Sequence, residues 1–285
     1  MTGTGLRLLG PIEGIAAAHW DALVPGAQPF LRHAFLSALE RSGSATVETG
    51  WQPLHLLLEV GGRPRAAVPL YAKSHSWGEY VFDHGWAEAC ERAGGRYYPK
   101  LLAAVPFTPV PGPRLLTGGD ERLAETLVAG LAETCRALDL SSVHVNFCTA
   151  EEARHFEAAG WLLRRGIQYH WYNRGYRDFA DFLATLRSSR RKTIRRERRE
   201  ASARGLEIRT LTGDQVTPDL MEAFHPLYLA TVDRRWGGAY LTTAFFRLLA
   251  ERMADSLVVV TARENGRLVA AALNLRDDEA LYGRL

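Results

Sequence analysis

Apolar and polar positions along this chain switch repeatedly between a two-residue and a 3.6-residue period, which predicts strands and helices in mixed order. Leu6 to Gly10 reads as a short strand, and helical spacing follows over Ile15 to Val24 and His33 to Ser42, on either side of the breaker PGAQPF. PLHLLLEV (53–60) and RAAVPLYAK (65–73) are strand-like runs around Gly61-Gly62, a hairpin signal. EYVFD (79–83) alternates, with Glu79, Val81 and Asp83 on one face and Tyr80 and Phe82 on the other. YYPKLLAAVPF (97–107) predicts another strand, running into the turn-rich TPVPGPR. Asp120 can cap a helix whose stripe is Leu123, Leu127, Leu131 and Leu138. SSVHVNF (141–147) then alternates, with His144 and Asn146 opposite Val143, Val145 and Phe147. Thr149 and Glu152 form a capping box for a helix that Gly160 ends, and WLLRR with IQYHWYN (161–173) predict two closing strands. The order is β-α-α-β-β-β-α-β-α-β-β.

The next stretch, DFADFLATLRSSRRKTIRRERREASARG, reads as one helix from its cap at Asp178 to Gly205. Some 25 residues at about 1.5 Å each make a rod of about 38 Å. Eight of the thirteen residues from Arg187 to Arg199 are Arg or Lys. Arg187, Arg191, Lys192, Arg195, Arg198 and Arg199 share one side; Phe179, Phe182, Leu183, Leu186 and Ile194 share the other. Arg190 and Glu197 fall on the apolar side, which predicts an inward-facing polar pair. A solvated basic face on a packed helix accounts for the run as well as an anion-binding rod does. A strand (206–211), helices at 217–233 and 241–253, and a hairpin across Asn265-Gly266 then repeat the opening plan, and EALYGRL begins one more strand. The closing helix-strand-helix-strand-strand section has no counterpart, which predicts an incomplete second copy with an unpaired edge.

Composition alters this picture little and charge alters it locally. With 285 residues, 47% apolar and 24% charged, the chain has the make-up of a soluble globular protein long enough for two domains. Its net charge is only +3, yet residues 176–210 carry eleven Arg and Lys against five Asp and Glu, so affinity for polyanions is confined to that segment. Three cysteines (Cys90, Cys135, Cys148) lack metal spacing and read as reduced thiols of a cytoplasmic protein. The start has no signal-peptide pattern, and no apolar run reaches the roughly 20 residues of a membrane span. Ser-His-Asp spacing, a metal cluster and a Walker-type loop are all missing from the pattern.

The element order resembles the GNAT acyltransferase fold, an α/β (α+β mixed-sheet) architecture. One copy occupies residues 1–175, and residues 176–285 hold a basic linking helix with the N-terminal part of a second. Such tandem copies, with a basic helix leading into the second, resemble the Fem-type aminoacyl transferases of peptidoglycan synthesis. HSWGEYVFDHGWA (75–87), YYPKLLAAVPFTPVPGPRLL (97–116), QYHWYNRGY (168–176), RKTIRRER (191–198), RRWGGAYLTTAFF (234–246) and LYGR (281–284) are similar to motifs of a FemAB-like family of peptidoglycan biosynthesis proteins. The similarity runs from about Gln28 to the C-terminus. It implies a parent chain continuing past Leu285, and acyl or aminoacyl transfer from an activated donor to an amine acceptor such as a cell-wall precursor.

That chemistry needs no nucleophilic side chain, only a base for the ammonium proton and donors for the oxyanion. Acyl-CoA users of the GNAT fold hold the pyrophosphate on backbone N–H groups of a Gly-rich loop. The corresponding loop here, PFTPVPGPRLLTGGD, offers Gly112 and Arg114 but no intact motif, and its prolines remove donors. Acyl-CoA and aminoacyl-tRNA both stand as donors, with no metal expected. Glu79 and Asp83 read as base and orienter or as a solvated face, with His75 and His84 flanking them. His144 reads as a base, a ligand or a satisfied core histidine, with Asn146 on its face and His170 on the last strand as a further candidate. Lys100 either pairs with an acidic substrate or caps a strand end. Arg190, Lys192 and Arg195 are the anion-binding candidates, with tRNA as their polyanion. A non-catalytic polyanion binder and an inactive fragment are the alternatives to an acyltransferase.

Overall fold

The computed structural model describes residues 4–203, 205–234 and 238–285. The first half runs β1 (Thr4–Leu8), α1 (Ala17–Asp21), α2 (His33–Arg41), β2 (Trp51–Pro53), β3 (Leu56–Val60), β4 (Arg63–Val68), β5 (Leu70–Lys73), α3 (His84–Arg92), β6 (Lys100–Ala103), α4 (Ala124–Ala137), β7 (Val143–Val145) and α5 (Ala150–Ala158). The second runs α6 (Phe179–Ala184), α7 (Ser188–Ser202), β8 (Glu207–Thr212), α8 (Pro218–Val232), α9 (Thr243–Met253), β9 (Leu257–Glu264), β10 (Arg267–Arg276) and β11 (Leu281–Gly283). The class is mixed α+β, as the sequence predicts.

Pro69 explains the arrangement of the first half. It has no N–H for a ladder, so the run 65–73 divides there. β4 stays in the sheet β1-β3-β4, while β5 joins the sheet β2-β5-β6-β7. The Gly61-Gly62 turn has both φ values positive (60° and 75°), the type I′ geometry that matches strand twist. β6 and β7 are parallel, pairing Leu101 with Val143 and Ala103 with Val145, whereas the other strand pairs are antiparallel. The long connection that a parallel pair requires carries the Pro/Gly loop and α4. The α4 stripe, Leu127 and Leu131, packs on Leu56, Leu58, Val68 and Leu101 from both sheets.

In the second half β11-β10-β9-β8 form one antiparallel sheet. The β9 residues Leu257, Val259 and Thr261 are buried in strict alternation, so one face lies under α8 and α9. That core is continuous with the first half's. Phe35 of α2 meets Phe245 of α9 at 5.9 Å, and Phe107 stacks on Tyr240 at 4.9 Å. Thr242, the α9 cap, donates its hydroxyl to Ser42 O (3.0 Å). Burying a phenylalanine is worth about 1.5–3 kcal/mol, so this seam carries a large share of the contact energy between the halves.

Four expectations change. The rod from Asp178 to Gly205 is two helices. Arg187 adopts extended backbone (φ −60°, ψ 146°) at the break, and the Thr185 hydroxyl donates to Phe182 O (2.7 Å), competing with helix continuation. α7 buries none of its residues. Arg190 and Glu197 are therefore exposed and form no inward pair. Residues 161–173, expected as two strands, form no strand and have no ladder partner among the described residues, and Leu162 and Tyr169 are each 97% exposed. Local β preference is not enough, because a strand also needs a neighbour to hydrogen-bond. EYVFD is a turn, with Tyr80 and Phe82 at φ 61° and 51°. Residues 84–92, assigned no element from the pattern, form α3, which Gly94 ends at φ 80°. Among the described residues, no helix is long and apolar enough to cross a membrane.

Candidate active site

The turn at 76–83 lies over the ends of β5 and β6 and draws charged side chains into the interior. Gly78 makes its geometry possible: its φ is +81°, and a Cβ there would sit 2.5 Å from the Phe107 ring. The turn places Glu79 and Asp83 inward (3% and 2% exposed) and Tyr80 and Phe82 outward. From β6, the wholly buried Lys100 ammonium donates to Ser76 Oγ (2.9 Å), Glu79 Oε2 (3.0 Å) and Asp83 Oδ2 (2.7 Å). All three of its N–H donors are thus satisfied. Tyr97 donates its hydroxyl to Asp83 Oδ2 (2.7 Å), and Ser76 Oγ shares a 2.7 Å hydrogen bond with the Tyr98 hydroxyl. Asn146 Nδ2 reaches Glu79 Oε2 at 3.5 Å.

The two carboxylates differ in ways that matter for proton transfer. Burial raises the Glu79 pKa more than Lys100 lowers it. Burial would also raise Asp83, but hydrogen bonds from Lys100 and Tyr97 and the Lys100 charge hold it well below the usual carboxylate range. Each has one buried oxygen, Glu79 Oε1 and Asp83 Oδ1, with no hydrogen-bond partner among the described residues. An orphaned carboxylate oxygen in the interior is costly. Its presence beside a raised pKa is the arrangement of a proton acceptor.

A second buried lysine stands next to this group. Lys73 ends β5 with its ammonium 3.8 Å over the Trp51 ring and one long hydrogen bond, to Trp77 O at 3.4 Å. Burial, with the Lys100 charge adding to it and Glu79 opposing, lowers its pKa to about 7. His144 lies on β7, its ring 5.8 Å from that of Tyr97 and its Nε2 3.0 Å from Ser142 Oγ. Burial and Lys100 lower its pKa to about 4, so it is neutral at neutral pH.

Glu79, Asp83, Lys100 and Asn146 thus meet in one cluster, with His144 on its margin. His75 and His84 flank the turn: His75 Nδ1 accepts from Trp77 N (3.2 Å), and the His84 ring lies 4.9 Å from that of Trp77. The Pro/Gly loop uses its candidates internally. Arg114, 1% exposed, donates to the carbonyls of Val110, Gly112, Pro113 and Asn146. Gly112 N–H is taken by Phe147 O (3.0 Å), and the Glu152 carboxylate accepts from the N–H groups of Arg114 and Leu115. The loop therefore converges carbonyls on a cation, the opposite polarity to a pyrophosphate cradle. His170 is exposed and its Nε2 lies 3.3 Å from Gln168 Oε1, away from the cluster. Arg190, Lys192 and Arg195 lie exposed on α7. Among the described residues, no group of three His, Cys, Asp or Glu side chains is placed to hold a metal ion.

Lys73, Ser76, Tyr97 and Tyr98 belong to the cluster and were not singled out from the pattern. The available signal was RAAVPLYAK, a buried-strand run ending on a lysine opposite another strand that begins with one, and register pairs Lys73 with Lys100.

The chain is mixed α+β and carries a buried, hydrogen-bonded carboxylate-lysine cluster around Lys100 at the start of β6. The chain belongs to the FemAB-like family, whose description is peptidoglycan biosynthesis/recognition and whose model matches residues 11–285. No curated protein matches it.

Proposed function

We propose that the protein is an N-acyltransferase of Fem-like type, active in the cytoplasm, that moves an acyl or aminoacyl group from an activated ester or thioester to an amine acceptor, with a peptidoglycan precursor as the acceptor the family suggests. Residues 1–175 and 176–285 are read as two acyltransferase-like units sharing a core. The observation that carries the proposal is the unpartnered Glu79 Oε1, held by Lys100 in an environment that raises its affinity for a proton. In this reading Glu79 Oε1 accepts a proton from the acceptor ammonium. The free amine attacks the donor carbonyl, a C–N bond forms, the ester or thioester bond breaks, and the leaving oxygen or sulfur takes a proton. Asp83 stays ionised and, with Lys100, fixes the geometry of Glu79. The carbonyl-lined Pro/Gly loop favours aminoacyl-tRNA over acyl-CoA as donor.

Transfer of labelled acyl groups from each donor to an amine, in wild type and in Glu79→Gln, tests this. Loss of transfer by 10²-fold or more in the variant is expected, the scale of general-base catalysis. Full rate in both Glu79→Gln and His144→Ala would overturn the site assignment.

The exposure of α7 supports a second reading, a non-catalytic polyanion binder. Neutralising five or six phosphates gives log K against log salt a slope of about −4 to −5. A flat response removes that reading.

A further inference from the structure

Near the same turn a second charged group has no counter-ion among the described residues. Arg284 enters the seam between the halves with its guanidinium carbon 5.4 Å from the Phe35 ring centroid, 5.9 Å from Phe30 and 6.0 Å from Phe245. Its Nη1 donates to Thr108 Oγ1 (2.9 Å). Its Nε is buried without an acceptor, and no carboxylate among the described residues reaches it. Burial lowers its pKa only to about 10, so it is a cation at neutral pH.

A guanidinium N–H that is buried without an acceptor is unfavourable unless a ligand atom joins it. The neighbouring groups suit one. The Tyr228 oxygen accepts from the N–H groups of Tyr240 (3.0 Å) and Leu241 (3.3 Å), and its own proton has no acceptor among the described residues. The Tyr240 ring stacks on Phe107 (4.9 Å), which ties the Tyr228 oxygen to the Phe107–Thr108 segment that holds Arg284, and Gly78, two residues before the 42% exposed Tyr80, lies against the same Phe107 ring. The Arg284 Nε–H and a phenolic O–H therefore lack acceptors among the described residues at one place, beside a partly open tyrosine.

We propose that Arg284, Tyr228 and Tyr80 form a binding site for an anionic oxygen group of a ligand, a carboxylate or a phosphate monoester, at the seam between the halves. The site does not depend on acyl transfer at Glu79. A planar guanidinium can meet either anion through two parallel N–H···O bonds, and the phenol supplies a third donor.

Thermal unfolding of the full chain is followed in rising inorganic phosphate and, separately, in rising acetate, with chloride holding ionic strength constant. A saturable rise in Tm is expected with at least one, because an anion bound only by the folded state stabilises it by mass action. The anion with the lower half-saturation identifies the source. Arg284→Gln should raise half-saturation at least tenfold, and Tyr80→Phe, a milder change at a partly exposed position, should raise it several-fold. With no anion present, Arg284→Gln should unfold no more easily than wild type, because it removes an uncompensated charge. If neither anion gives a saturable rise in wild type, the proposal is overturned, and that result needs no variant to fold. It is equally overturned if Arg284→Gln retains the wild-type half-saturation. Glu79→Gln should leave anion binding unchanged, so loss of transfer and loss of anion binding are separable.

Discussion

Lys100 and the arginines of α7 carry the same charge in opposite surroundings. Lys100 is fully buried and each of its N–H donors has a named acceptor. α7 holds Arg190, Arg191, Lys192, Arg195, Arg196, Arg198 and Arg199, and among the described residues its one side-chain ion pair is the exposed Arg196–Glu200 contact at 3.6 Å. In the interior, low dielectric makes each partner obligatory and fixes geometry. On the helix, water and salt screen the charges, and contacts add little to stability. Charge density along the sequence therefore points to α7, while charge that determines local structure lies in a segment of unremarkable composition.

Lys100→Met should have the largest effect. It removes the common partner of two buried carboxylates, and breaking a buried pair costs about 3–5 kcal/mol. Urea unfolding measures this. The triple change with Glu79→Gln and Asp83→Asn should recover much of the loss, because no uncompensated charge remains. A Lys100→Met variant as stable as wild type would erase the distinction between the two regions.

The turn that presents the carboxylates is the next place to test the contrast. Gly78→Ala puts a Cβ at φ +81° and 2.5 Å from the Phe107 ring. The backbone alone should cost about 1–3 kcal/mol, and displacement of Phe107 from Tyr240 adds to it. Alanine at an exposed site on α7 should have no such cost, and an equal cost at both would show that the turn is not specially constrained.

The pH dependence separates the second buried lysine from the first. The folded pKa of Lys73 is lowered from 10.5 to about 7. Between those limits the unfolded chain holds a proton that the folded chain does not, so this group makes stability rise with pH from about 7 to 10.5. Below about pH 7 its destabilising contribution is fully present. Lys73→Met should remove that rise. The check is the difference in urea midpoint between pH 7 and pH 9.5, compared in the two proteins, and an unchanged difference would mean that Lys73 is not held neutral. Asp83 acts with the opposite sign: its folded pKa is depressed, so its stabilising contribution is present above the unfolded value and fades in acid.

Much of this was legible in sequence. The two glycine- and asparagine-marked hairpins, the Thr149–Glu152 capping box and the α4 stripe occur where local chemistry places them. What failed depended on distant neighbours. Residues 161–173 have strand-like composition, yet they pair with no strand among the described residues. Glu79 and Asp83 were recognisable as a pair sharing a face, but Lys100, seventeen or more residues away, makes them a cluster. Arg284 lay inside a recognised motif, but its buried Nε, unpaired among the described residues, is a property of the seam and has no local signature.

The smallest effect belongs to α7 and sharpens the contrast from the exposed side. Helical periodicity put Arg190 and Glu197 among apolar positions, which would make them a buried pair. Both are exposed, and the helix turns no buried face to the rest of the protein. Arg190→Ala should therefore shift stability by no more than about 0.5 kcal/mol, the range of ordinary surface substitutions. Alanine's higher helix propensity and the loss of one like charge both oppose destabilisation. The same variant should lower the salt slope of any polyanion binding by about one phosphate equivalent. A loss of several kcal/mol on Arg190→Ala would mean that α7 packs against protein through this face, and the helix would then belong with Lys100 rather than opposite it.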